Sequence, residues 1–571
     1  MADRVAWMGR VIDRRWLSLR AGLLALPALA WMAALVALPM LGFGALALMT
    51  RTPQGQVEAT LTFEHLRRAV GVTEAGFVPD TLRIAVRTLV AAAVTSGACI
   101  ALAFPAAIWI ASQPAHRRGV LLAIAAIPLG TNIVVRSYAW MLLLGPGSPF
   151  ARIASSLGLI EPGASLHPSW LAVSLGMIAA SLPLAIISLY ASVERLDWRL
   201  VDAARDLHAS RWRCAWHGVV VPAWPGLLAA FTLTFVPAMG SFVIPDLLGG
   251  AKHWMIGNLV QQQFGTSRNW PYGAALGLLL VAGTIPAVVI LSRRRASTVE
   301  AGGGVARASR GAAWCAGASA LLLYLPIVAV VVASFASTKT GLSFGAPTLE
   351  WYRGVLRDAR LLELATNTLT LATVSTVIST VLGTMLAVSL ERYPWRAGLR
   401  SAVDGMLTLP VVMPDVLMAA GVVVALGVLR RASDAFEPGM GAMVLGHVSF
   451  QVAFVTMVVR ARLASVGTAC EEAAADLHAT GWNRLWRVTL PLLAPGIAGG
   501  AMLAFTLSLD DFVISFMTAS PSSTTLPVHI YASVRRGLRP ELHALSTMLF
   551  LATALIVPLA HRLARRPTIG P

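Results

Sequence analysis

The chain has 571 residues, 57% of them hydrophobic and only 13% charged, with a mean hydropathy of +0.71. That composition excludes an ordinary soluble domain. The formal charge of +18 raises nucleic acid or an acidic partner as its cause, and the placement of the arginines excludes both.

Apolar runs of about twenty residues or more, each enough to cross a bilayer, recur along the whole chain. They fall near 21–49, 82–111, 119–144, 168–191, 218–248, 271–292, 312–336, 364–390, 403–429, 440–461, 492–518 and 544–561. The reading is an all-α polytopic membrane protein with twelve spans. Arg4, Arg10, Arg14, Arg15 and Arg20 precede the first span, and Arg195, Arg199, Arg205, Arg211 and Arg213 lie between the fourth and fifth. Arg293, Arg294, Arg295, Arg307 and Arg310 separate the two halves, and Arg562, Arg565 and Arg566 follow the last span. With twelve spans all these segments share one side, which the positive-inside rule makes cytoplasmic, both termini included. The basic start followed by an apolar run resembles a signal peptide. The run is long and no small-residue cleavage site follows, so a retained helix is expected. Cys99, Cys214, Cys315 and Cys470 are scattered, without metal-ligand spacing.

An internal repeat organises the chain. Asp202-Ala203-Ala204-Arg205-Asp206-Leu207-His208-Ala209-Ser210 returns 270 residues later as Glu472-Ala473-Ala474-Ala475-Asp476-Leu477-His478-Ala479-Thr480. The same spacing pairs Trp212 with Trp482, Trp216 with Trp486, Pro225 with Pro495, Gly226 with Gly496 and Phe242 with Phe512. An even number of spans separates the copies, so the halves run parallel and form a two-fold pseudodimer with a pathway between them. In each copy an acid followed by Ala-Ala suits a short helix, by propensity and by the helix dipole. A small-residue turn and a second amphipathic stretch complete a knob that another protein's cleft can hold.

Glu472-Ala473-Ala474 through Leu490-Pro491 resembles the coupling-loop motif of ABC importer permeases. The first copy departs from it with Asp202 for Glu and Pro222 one place late, and both copies carry His208 or His478 where the family has Gly. Histidine is among the non-glycine residues found in left-handed turns. Longer strings resemble the two spermidine/putrescine permease subunits. Thr131-Asn132, Val135–Trp140 and Gly240–Lys252 match one subunit, whereas Leu409–Asp415, His447–Phe450, Ser508–Val513 and Leu526-Pro527 match its partner. The resemblance implies the type I ABC importer permease fold, with both subunits joined in one chain. The expected order is a cytoplasmic segment 1–20, a first unit 21–295 with its coupling loop at 193–217, a linker 296–311, and a second unit 312–566 with its loop at 463–490. The coupling residues are then Asp202, Ala203, Ala204, Asp206, Leu207 and His208, with Glu472, Ala473, Ala474, Asp476, Leu477 and His478.

A flexible polycation needs carboxylates and aromatic faces along its route. Asp415, Asp510 and Asp511 interrupt apolar runs, where an ionised group is costly unless it faces a partner or a wet cavity. Phe242, Phe512, Tyr138 and Trp140 are the aromatic candidates; interfacial anchoring is the alternative for Tyr138 and Trp140. Arg136 would repel a polyamine and calls for a carboxylate partner. Neither Lys252 nor Lys339 lies in a phosphate-binding loop, so the chain itself is expected to be a transport subunit and not an enzyme. The resemblance implies that ATP and Mg sit on a separate ATPase, present as a pair, and that a periplasmic binding protein delivers the substrate in a bacterial inner membrane. Related fused permeases for thiamine, ferric iron or aminophosphonates are the alternatives, and a secondary transporter is a further one.

Overall fold

A computed structural model describes residues 21–52, 56–73, 76–293, 308–337, 346–536 and 540–564. The N-terminal segment 1–20, linker residues 296–307 and Lys339 lie outside the described residues. So do the arginines expected to mark the cytoplasmic side at 294, 295, 307, 565 and 566.

The chain builds the same helical unit twice. In the first, α1 (Ala21–Leu46) leads to the hairpin β1–β2 (Met49–Arg51 and Val57–Leu61) and the short α2 (Glu64–Ala69). A two-residue pair, β3 (Val72–Thr73) with β4 (Gly76–Phe77), then leads to α3 (Asp80–Ala111). The bent pair α4 (Ala115–Gly130) and α5 (Ile133–Leu144) follows, then α6 (Pro149–Ser156), α7 (Trp170–Val193) and the short α8 (Arg199–Asp206). The long α9 (Arg211–Gly240), α10 (Val243–Gly249), α11 (Ile256–Phe264) and α12 (Trp270–Arg293) complete it.

The second unit repeats this order. It runs through α13 (Arg310–Ala333), α14 (Glu350–Arg357), α15 (Ala359–Arg392) and the bent pair α16 (Ala397–Val412) and α17 (Asp415–Leu429). Then come α18 (Met440–Val466), α19 (Ala469–Asp476), α20 (Gly481–Asp510), α21 (Val513–Thr518), α22 (Leu526–Arg536) and α23 (Pro540–Ala564). From α7 onward the two units keep the 270-residue offset.

Among the described residues, eight helices are long and apolar enough to cross a membrane, and the bent pairs raise this to ten. Helices α12 and α23 run over the sixth and twelfth expected spans. Two departures from straight spans matter for function. The third and ninth spans fold sharply, by 91° between α4 and α5 and by 115° between α16 and α17. Met413 explains the second bend: the following Pro414 drives it into extended backbone, at ψ 140°. The fifth and eleventh spans stop early, at Gly240 and Asp510, because Ser241 and Asp511 are extended at ψ 129° and 127°. Helices α10 and α21 restart immediately after each break.

Inside each unit the long helices pack through small residues. A methyl group added to Gly226 would lie 2.1 Å from the Ser192 hydroxyl, and one on Gly496 would lie 2.6 Å from Arg462 Cβ. These two contacts are the same junction in the two copies.

Candidate functional site

The broken helices bring the two units together. Asn132 caps α5 by accepting a hydrogen bond from the Val134 N–H at 2.9 Å. Its amide also donates to the backbone carbonyl of Asp510 at 2.7 Å, a bond that spans 378 residues of sequence. The Ile133 N–H donates to Asp510 Oδ1 at 3.0 Å. A carboxylate thus rests on the open end of α5, where unsatisfied N–H groups favour negative charge. The reciprocal junction is steric. Gly240, the counterpart of Asp510, lies so close to Pro414 that an added methyl would fall 2.3 Å from Pro414 Cβ.

The two adjacent acids face opposite ways. Asp510 turns to the first unit, where its Oδ2 stands 4.0 Å from Arg136 Nη2. Asp511 turns into the second unit and caps α21, accepting from the Ser515 N–H and hydroxyl at 3.0 and 3.1 Å. The buried His447 Nε2 lies 3.1 Å from the same carboxylate. On its other side His447 Nδ1 meets the Ser508 hydroxyl at 2.7 Å, and Gln451 extends the network by donating to the Ala504 carbonyl at 3.0 Å. Asp415, in the first turn of α17, is exposed and lies within Coulombic reach of both Asp510 and Asp511. All three acids belong to the second unit, and the arginine facing Asp510 belongs to the first.

Aromatic rings close the seam beside them. Phe242 and Phe512 meet with centroids 6.0 Å apart, and Phe512 packs on Phe516 and Tyr531 at 5.1 and 4.7 Å. The Tyr531 hydroxyl donates to Asp246 of the first unit. Tyr138 is buried and lies 2.8 Å from His543 Nδ1, again bridging the units. Trp140 does not join them. It packs with Leu143, Val173 and Met177 inside the first unit.

The repeated loops form the second candidate surface. Each short helix ends identically: the Ala209 N–H bonds the Ala204 carbonyl at 3.0 Å and the His208 N–H bonds Arg205 at 2.8 Å. In the second copy Ala479 bonds Ala474 at 3.0 Å and His478 bonds Ala475 at 2.9 Å. This double bond pattern needs a left-handed residue, and His208 and His478 both adopt φ 57°. Leu207 and Leu477 project on the turns, each 83% exposed. Trp212 and Trp216 pack together behind the first turn, and Trp482 with Trp486 behind the second, all four exposed. These tryptophans were visible as repeat partners but not as part of an apolar surface. The acids Asp202, Asp206, Glu472 and Asp476 and the alanines at 203, 204, 473 and 474 lie on α8 and α19.

The second knob is tethered through Glu471. Arg392 pairs with Glu471 at 2.9 Å and donates to the Gly467 carbonyl at 2.6 Å, while Thr489 donates to Glu471 at 2.9 Å. At the Glu471 position the first unit has Val201, packed on Gly218.

A doubled unit of bent and broken spans, joined at a charged seam, defines a polytopic transport permease. Residues 379–566 match the family described as the binding-protein-dependent transport system inner membrane component, and the chain belongs to that family, the permease subunits of ABC importers. It is 35% identical over 248 residues to the spermidine/putrescine transport system permease protein PotC of Escherichia coli (strain K12), covering 43% of this chain and 91% of that protein. It is 31% identical over 250 residues to PotB of the same system and strain, covering 44% of this chain and 88% of that protein. A solved bacterial ABC transporter involved in import of the acidic polysaccharide alginate is 21% identical, with a TM-score of 0.36, over 43% of this chain and 90% of that one. Each polyamine permease is matched along nearly its whole length by less than half of this chain.

Proposed function

We propose that this chain is the permease of an ATP-driven polyamine importer, moving spermidine or putrescine inward by alternating access. The observation that carries the substrate class is the acid cluster at the seam. Asp415, Asp510 and Asp511 stand within Coulombic reach of one another beside the Phe242–Phe512 pair. Carboxylates draw in an ammonium, and aromatic faces give it cation–π contact of about 0.5–2 kcal/mol each without trapping it. The likeness to PotC and PotB supports the same class.

In this reading the units are 21–295 and 312–566, joined by 296–311, and both termini are cytoplasmic. The α8–α9 and α19–α20 turns seat in two ATPase subunits, which hold ATP and Mg. Exposed Leu207 and Leu477, backed by their tryptophans, are the apolar tips that such clefts would take. A binding protein delivers the substrate on the opposite face. ATPase closure draws both knobs together, the units rock, and the aromatic seam parts.

The test is uptake of labelled spermidine and putrescine in cells lacking polyamine importers, expressing the chain with its ATPase and binding protein. Asp415→Asn and Glu472→Arg should each abolish saturable uptake at normal membrane levels. An assembled, ATP-hydrolysing complex that takes up neither compound would overturn the polyamine assignment and leave thiamine as the next cation to try.

A further inference from the structure

Arg136 is a cation at the seam, out of place for a route that carries cations, and its geometry suggests a use. Arg136 is 11% exposed and Asp510 25% exposed, so the pair is accessible from the side of the carboxylate. Their contact of 4.0 Å is loose beside the 2.6 and 2.9 Å bonds that Arg460 makes with Asp404 and Glu391. Asp510 Oδ1 is occupied by the Ile133 N–H, which leaves Oδ2 facing the guanidinium. Arg136 is loosely held elsewhere too. Its Nη1 reaches the Ala180 carbonyl at 3.5 Å, and its Nε has no hydrogen-bond partner among the described residues.

Two unmatched hydroxyls lie beside it. Arg136 lines a small cavity with Thr131, Ser546 and Thr547. The hydroxyls of Ser546 and Thr547 are buried and without a hydrogen-bond partner among the described residues. Buried hydroxyls left unmatched are costly, and a guanidinium with five donors can satisfy both.

We propose that Arg136 is a resident counter-cation of the transport site. In the empty permease it holds Asp510; an incoming ammonium takes its place, and the guanidinium moves to Ser546 and Thr547. The site is then never an uncompensated carboxylate in a dry seam. Departure of the substrate is driven by return of the arginine, so substrate affinity is set by competition between two cations for Asp510 Oδ2. Arg136 is thus a specificity-determining residue that acts by displacement. The proposal rests on the reading that the cargo is a cation.

The experiment measures binding of labelled spermidine to the purified permease–ATPase complex without binding protein, together with its substrate-free ATP hydrolysis. Arg136→Gln removes the competitor and should tighten binding at least threefold while slowing turnover in proteoliposomes. The double variant Ser546→Ala/Thr547→Ala removes both hydroxyls and should weaken binding at least threefold. A structural ion pair would instead shift both variants in the same direction, or leave binding unchanged, and either result overturns the proposal. If Arg136→Gln fails to assemble, the double variant alone decides by the same criterion. If the wild-type complex binds no spermidine without the binding protein, the polyamine reading is decided by the uptake assay. The counter-cation role of Arg136 is then judged by substrate-free ATP hydrolysis, which Arg136→Gln should raise at least twofold; an unchanged rate sinks it.

Discussion

Phe242 and Phe512, equivalent residues of the two units, meet each other at the seam with ring centroids 6.0 Å apart. Each follows the residue at which its long helix breaks, so the doubled sequence brings two identical rings together, tilted by 39°. Phe512 also packs on Phe516 and Tyr531. Phe512→Ala should therefore cost about 3 kcal/mol, read as a lowered melting temperature of the detergent-solubilised permease. Phe512→Leu should cost less than half of that. Equal melting of Phe512→Ala and wild type would show that the rings carry no packing load.

The two histidines at φ 57° predict a substitution pattern opposite to ordinary intuition. His478→Gly removes a left-handed strain of about 1–2 kcal/mol and should leave ATP-coupled transport intact. His478→Val puts a branched Cβ in the same backbone and should reduce both coupling and protection of amides 469–480 in hydrogen exchange. The order Gly, His, Val is the expected ranking.

Removing the tether of the second knob should be felt on one side only. Arg392→Met leaves Glu471 with Thr489 as its one remaining partner of the two bonds described, a loss of about 2 kcal/mol. Exchange should rise across α19 but not α8, and transport per ATP hydrolysed should fall severalfold. Val201→Ala, at the equivalent place in the first unit, should have a milder effect on both.

His65 gives a pH dependence to the short helix α2 of the first unit. It is buried on α2 against Tyr272. Burial lowers its pKa from the ordinary 6.5, with Glu64 opposing and Arg68 adding to the shift. The unfolded chain then binds the proton more readily than the folded one, so this contribution to stability is full above pH 6.5 and is lost as pH falls. Protection of amides 64–69 should decline as pH falls below 6.5, and His65→Phe should flatten that decline.

Much of this was legible in the chain. The repeat, the two knobs and the Phe242–Phe512 equivalence follow from residue identity at one spacing, because parallel duplication preserves order. The left-handed histidines also follow, since a helix stop there needs such a residue. What was hidden lies between elements distant in sequence. Nothing local distinguishes Asp510 from Asp511, yet one reaches Asn132 and Arg136 while the other is tied to His447. Hydropathy read 218–248 and 492–518 as unbroken because the extended Ser241 and Asp511 interrupt the backbone without interrupting the apolar run for more than a residue or two. Trp140 looked available beside Tyr138, but two residues on a helix are about 200° apart, and only one of them can face the seam.

The junctions Asn132–Asp510 and Gly240–Pro414 have a mechanical consequence. A rigid body pinned to another at two points keeps one freedom, rotation about the line through both pins. One pin is a hydrogen bond and the other the Gly240 backbone against the Pro414 ring, and neither needs to break for such a rotation. In the proposed rocking of the units these two contacts are the bearings of a pivot, built from the very residues that interrupt the helices.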